Sequence, residues 1–105
     1  MIVEKYYNED KTCIAVLVSR GWGAGWSTWN SPEMAYDKRI IEAFLENINS
    51  HEIEELCKEW GYDSCDAGGW SDVRLEWVPV GEKYYIYEYD GAETLVREKC
   101  MEIAQ

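Results

Sequence analysis

The chain has 105 residues, of which 47% are hydrophobic and 30% charged. That length suits a single domain spanning 1–105, and the composition supports a packed core and excludes a disordered chain. Twenty-one acidic against ten basic residues leave a formal net charge of −11, which repels nucleic acid and anionic membranes and favours a partner with a basic surface.

The N-terminal segment from Met1 to Tyr7 has neither the basic region nor the apolar run of an export signal, and no apolar run reaches the length of a membrane span. A cytoplasmic protein with reduced thiols is the expectation. The four cysteines, Cys13, Cys57, Cys65 and Cys100, contain no CxxC pair.

In chain order, Ile2 to Tyr7 alternates weakly, Asn8 to Lys11 reads as a turn, and Thr12 to Ser19 reads as a strand, together a hairpin. Ile14, Val16 and Val18 share one face of that strand and Cys13, Ala15 and Leu17 the other, so both faces are apolar and the strand is expected to be central. Ser31-Pro32-Glu33 carries the marks of a helix start, with Ser31 as N-cap. Met34, Ile41, Phe44, Leu45 and Ile48 then form an apolar stripe, with Asp37, Lys38, Glu42 and Glu46 outside it.

A second helix is predicted after Ser50, with Ile53, Leu56, Cys57 and Trp60 on one side and Gly61 as its stop. The two helices are expected against the same sheet. Tyr62 to Ser71, with Gly68-Gly69, reads as a loop. Val73-Leu75-Trp77 alternates with Arg74-Glu76 as a half-buried strand ended by Pro79, and Pro79 to Glu82 is expected to join it in a hairpin to a strand over Lys83 to Tyr89. Asp90-Gly91 is a two-residue hairpin signal. It leads into a strand over Thr94 to Glu98, although Val96, Cys100 and Ile103 fit a terminal helix equally. The expected class is α+β: a small antiparallel sheet of four to five strands with two helices on one face, in the order ββααββ(β).

Between the first strand and the first helix lies Arg20-Gly21-Trp22-Gly23-Ala24-Gly25-Trp26-Ser27-Thr28-Trp29-Asn30, with three glycines and three tryptophans. The glycines follow neither GxGxxG nor GxxxxGK[ST], the loop has no lysine, and Glu33 opposes an anion at the helix start. Rings stacked on a planar ligand suit these residues better, since a base on an aromatic side chain contributes about 1–3 kcal/mol. The candidate ligand-binding set is Arg20, Trp22, Gly23, Gly25, Trp26 and Trp29, with Arg20 meeting any charge. The competing interpretation is a structural plug, with one or two tryptophans in the core.

A second aromatic grouping has Tyr85, Tyr87 and Tyr89 on one strand face and Tyr84, Ile86 and Glu88 on the other. An exposed tyrosine face has the composition of a protein interface, including self-association as a homodimer; cross-strand ring pairing is its structural alternative. Glu52, Glu55 and Glu59 on the second helix give a negative surface that can imitate nucleic-acid phosphates towards a basic groove. Those three acids with Tyr85 and Tyr87 are the candidate partner-binding residues.

His51 is the sole histidine, and neither it nor the cysteine spacing matches a zinc site or a catalytic Cys-His pair. No catalytic residue, metal or cofactor is expected.

The run Val18 to Asn30, with Trp77-Val78-Pro79-Val80-Gly81 and Glu88-Tyr89-Asp90-Gly91, resembles a group of small bacteriophage and prophage proteins without an assigned activity. The resemblance implies a context in which small acidic proteins bind a host component in the host cytoplasm, as anti-CRISPR proteins do, or sequester a nucleotide signal. The resulting expectation is a non-enzymatic protein that inhibits or modulates a host protein through an acidic, aromatic-rich surface. The alternative is a protein that sequesters a planar small molecule in the Gly/Trp loop.

Overall fold

The computed structural model describes residues 2–98. Its central element is β1 (Cys13–Ser19), a strand buried along its whole length after Cys13. β1 pairs antiparallel with β2 (Val73–Pro79), Leu17 lying opposite Leu75 and Val16 opposite Glu76. A second antiparallel ribbon joins β3 (Tyr84–Tyr89) to β4 (Ala92–Arg97). The fold is α+β, with two helices and four strands arranged as two separate two-stranded sheets.

Both faces of β1 are apolar because both are covered. Ala15 and Leu17 join Ile40 and Ile41 of α1 (Lys38–Leu45), Ile53 and Cys57 of α2 (Ser50–Glu59), and Trp26 and Trp70 in one buried cluster. Ile14, Val16 and Val78 join Ala35 in a second, against which Tyr84, Ile86 and Leu95 of the β3–β4 ribbon pack. The β1–β2 ribbon is thus a middle layer between helices and a second ribbon. This differs from the expected single sheet, in which β2 and β3 would pair directly. Instead Val80 N–H donates to Thr12 O at 2.8 Å, so β2 follows β1 to its start, and a turn at Gly81 (φ +87°) carries the chain across to the other face. Apolar side chains on both sides of β1 leave one face bare in a single sheet with helices on one side, which folding the ribbon over avoids.

The N-terminal segment turns back beside β1 through an isolated bridge of Tyr7 with Ile14, and a second isolated bridge joins Lys5 to Asp37. The second bridge also moves the helix start. Pro32–Ala35 forms a short 3-10 turn without a Ser31 side-chain cap. Asp37 caps α1 instead, accepting from Arg39 N–H at 3.0 Å. An extended Asp37 can serve both the bridge and the cap, so the continuous helix from Pro32 is interrupted there.

Asn49 caps α2, and the expected stop at Gly61 (φ +98°) ends it, with Tyr62 N–H reaching Cys57 O at 3.0 Å and Gly61 N–H reaching Lys58 O at 3.2 Å, a Schellman closure. Asp90 (φ +51°) and Gly91 (φ +87°) make the β3–β4 turn, both in the left-handed region that a type I′ hairpin requires. β4 begins two residues before the expected Thr94 and settles the strand alternative over Ala92–Arg97. Cys100 and Ile103, invoked for a terminal helix, lie outside the described residues.

The two-sided cover of β1 has a direct test. Leu17→Ala on the helix side and Ile14→Ala on the ribbon side are each expected to cost about 2–5 kcal/mol of unfolding free energy in urea. A near-neutral Ile14→Ala would mean that the second face is not packed.

Candidate functional site

The Gly/Trp loop is organised from beneath by a carboxylate from β4. Alternation along β4 turns Glu93 inward, where it is 1% exposed. Its Oε1 accepts from Ser19 N–H at 2.8 Å, and its Oε2 accepts from Trp26 N–H at 2.7 Å, Thr28 N–H at 3.1 Å and the Thr28 hydroxyl at 2.5 Å. A buried charge is tolerated when its lone pairs are filled in this way. Glu88, directly across the ribbon, is kept from competing because its Oε2 accepts from Gly91 N–H at 2.8 Å. The Glu93 carboxylate holds backbone, and its shielding leaves it no approach to a substrate.

The glycines follow from this crowding. A Cβ on Gly25 would stand 2.7 Å from the Thr28 hydroxyl oxygen and 2.8 Å from the Trp29 ring, and one on Gly91 would run into the backbone of Gly23 and Ala24. Gly23 (φ +91°) donates its N–H to Asp90 O at 2.7 Å, and the Ser19 hydroxyl donates to Ala24 O at 3.0 Å. Asn30 ties the far end down, its amide donating to Trp26 O at 2.7 Å and to Asp66 O at 3.1 Å.

The three tryptophans part company here. Trp26 is buried as a plug, its Nε1–H donating to Met34 O at 2.8 Å and its ring 5.0 Å from that of Trp70. Trp22 and Trp29 are exposed. Arg20 lies in the open with its guanidinium 4.0 Å from Glu76 on β2. Gly23 and Gly25 are backbone positions of the loop, so the expected ligand-binding set is divided between interior and surface rather than gathered around one cleft.

Exposed aromatic surface collects on the outer face of the C-terminal ribbon. Tyr85, Tyr87 and Tyr89 are 51%, 54% and 62% exposed, and Trp22, 70% exposed, meets Tyr89 edge-on with ring centroids 5.8 Å apart. Tyr84 and Ile86 point inward to the core. Glu52, Glu55 and Glu59 are exposed on α2, which belongs to the opposite layer. The candidate partner-binding acids and tyrosines therefore occupy opposite sides of the molecule.

A second buried carboxylate, Asp37, is also absent from the expected site. It accepts from Arg39 NH2 at 2.8 Å and from the Tyr62 hydroxyl at 2.8 Å. Burial first, and then the hydrogen bond to Asp37, push the Tyr62 phenol above its ordinary range. Cys57 and Cys65 are free thiols, and the neighbouring Cys65 together with burial pushes the Cys57 thiol up. In the sequence Asp37 stands only outside the apolar stripe, with Ser31 carrying the marks of the cap, and Glu93 carries no mark beyond its alternation with Leu95. Among the described residues, no group of three or more His, Cys, Asp or Glu is placed to hold a metal, and no helix is long and apolar enough to cross a membrane.

No protein-family model matches the chain, and comparisons with curated proteins and with solved structures return no similar protein.

Replacing Glu93 by Gln puts an amide donor where the carboxylate accepts, and Glu93→Gln is expected to lower stability in urea by on the order of 2–3 kcal/mol. A change below about 0.5 kcal/mol would remove the carboxylate from its anchoring role. Tyr62 supplies a pH test. A phenol whose folded pKa is raised contributes stability that is present below its unfolded value, about 10, and lost as pH rises beyond it. Tyr62→Phe is expected to flatten the fall in urea midpoint between neutral pH and pH about 10.5, and equal slopes in the two proteins would refute that role.

Proposed function

We propose that this chain is a non-enzymatic binding protein that inhibits or modulates a host protein with a basic surface, acting in the host cytoplasm. The observation that carries this reading is the row of open rings, Tyr85, Tyr87, Tyr89 and Trp22, on the outer face of the β3–β4 ribbon. Tyrosine and tryptophan are the residue types that most often dominate binding energy, because they bury much area with little loss of side-chain freedom. The net charge of −11 supplies long-range attraction to a basic partner. Glu52, Glu55 and Glu59, on the opposite layer, contribute to that field rather than to the same contact patch.

Immobilised protein challenged with bacterial lysate is expected to retain one or a few basic proteins at low salt, with less retained at moderate salt. Tyr85→Ser combined with Tyr87→Ser is expected to reduce the retained amount at least about tenfold, the loss that about 1.4 kcal/mol produces. Both positions point outward, so the variant should fold. No retained protein at either salt, or retention indifferent to both salt and substitution, counts against this function.

A further inference from the structure

The open edge of β3 extends this reading, on which it rests, to the form in which the partner binds. In a two-residue hairpin the residues flanking the turn exchange both hydrogen bonds. Tyr89 and Ala92 are that pair, so Tyr85 and Tyr87 also bond to β4 while Tyr84, Ile86 and Glu88 turn their backbone N–H and C=O away from it. Glu98 N–H donating to Lys83 O at 2.9 Å agrees with this phase. Among the described residues, no hydrogen bond reaches the backbone of Tyr84, Ile86 or Glu88.

That edge borders a cleft of about 340 Å³, with Thr28, Pro32 and Tyr36 on one wall and Tyr84, Tyr85 and Ile86 on the other. Side chains of consecutive strand residues point to opposite faces. A cavity touching three in succession therefore lies along the strand's edge, and β4 occupies the other one. None of the cleft-lining residues is charged. Of the usual protections against pairing the edge carries one charge, Glu88, and β3 contains neither proline nor lysine.

The geometry points to strand addition: an extended segment of the partner, alternating apolar and basic residues, pairs with β3 at Tyr84, Ile86 and Glu88. Its apolar side chains face the uncharged cleft, and its basic side chains cross the outer rings of Tyr85 and Tyr87, where cation–π contact is available. Charge decides between occupants. A second copy would bring together two chains of −11 each, whereas a basic segment is attracted.

The probe is a synthetic peptide of about eight residues alternating valine and lysine, the length of an ordinary strand, followed by amide NMR of the full chain. The expected result is downfield shifts and exchange slowed at least about tenfold at the Tyr84, Ile86 and Glu88 amides, as for protected backbone, with Tyr85 and Tyr87 amides little changed. The same peptide N-methylated at alternate residues should give none of this. Glu88→Pro, which takes away an edge-facing N–H at a position where a strand tolerates proline, should weaken it; the methylated peptide makes the same distinction on the unaltered protein.

Shifts confined to the tyrosine rings, lost in Tyr87→Ser and kept in Glu88→Pro, would overturn strand addition and leave the aromatic docking function standing. Absence of any shift overturns strand addition. Edge-amide protection that appears on concentrating the protein without peptide would assign the edge to a second copy, which also overturns it.

Discussion

A single carboxylate buried beneath the Gly/Trp loop joins β4 to the end of β1 and the loop that follows it, segments far from β4 in sequence. Glu93 reaches from β4 to the last residue of β1 and to the two loop residues Trp26 and Thr28. Among the described residues it accepts from backbone N–H groups and one hydroxyl, whose dipoles fill its lone pairs. Once that is in place, the loop has little freedom. Trp26 is drawn down over Trp70, Gly25 must lack a side chain, and Trp22 is left outside, edge-on to Tyr89.

The other governing constraint is the two-sided burial of β1. Helices cover the Ala15 and Leu17 side, and the β3–β4 ribbon covers the Ile14 and Val16 side. The ribbon lies there because its inward residues, Tyr84, Ile86 and Leu95, supply the second half of the core. Its outward residues are consequently tyrosines facing solvent, and among the described residues its far edge has no neighbouring strand. The features used for recognition in our proposals, open rings and an open edge, are thus by-products of how the core is closed.

This division of labour changes the meaning of the aromatic-rich segments. The Gly/Trp loop reads as a clasp that holds two ribbons together, with Trp26 as its plug. Recognition is proposed for the ribbon that the clasp positions. The acids of α2 lie on the far layer and act through their field, a weaker and salt-sensitive contribution that needs no contact. Asp37, tied to Arg39 and Tyr62, plays on the helix side a part similar to that of Glu93, joining α1 to the loop after α2.

Much of this was legible in the residues themselves. Alternation placed β1 in the interior and sorted the faces of β3, because a strand's side-chain period is local; Asp90-Gly91 and Gly61 marked their turns because positive φ is a local demand. The α+β class and the two helices follow from the same local rules. What the tertiary structure decided was which strands pair, where α1 begins and which tryptophan is buried. β2 pairs with β1 rather than β3, and Asp37 rather than Ser31 caps the helix, because partners distant in sequence compete for the same backbone groups. Glu93 looks like any exposed acid on a strand until β4 is laid against β1. Its burial depends on donors many residues away, and no local pattern encodes the meeting of such groups.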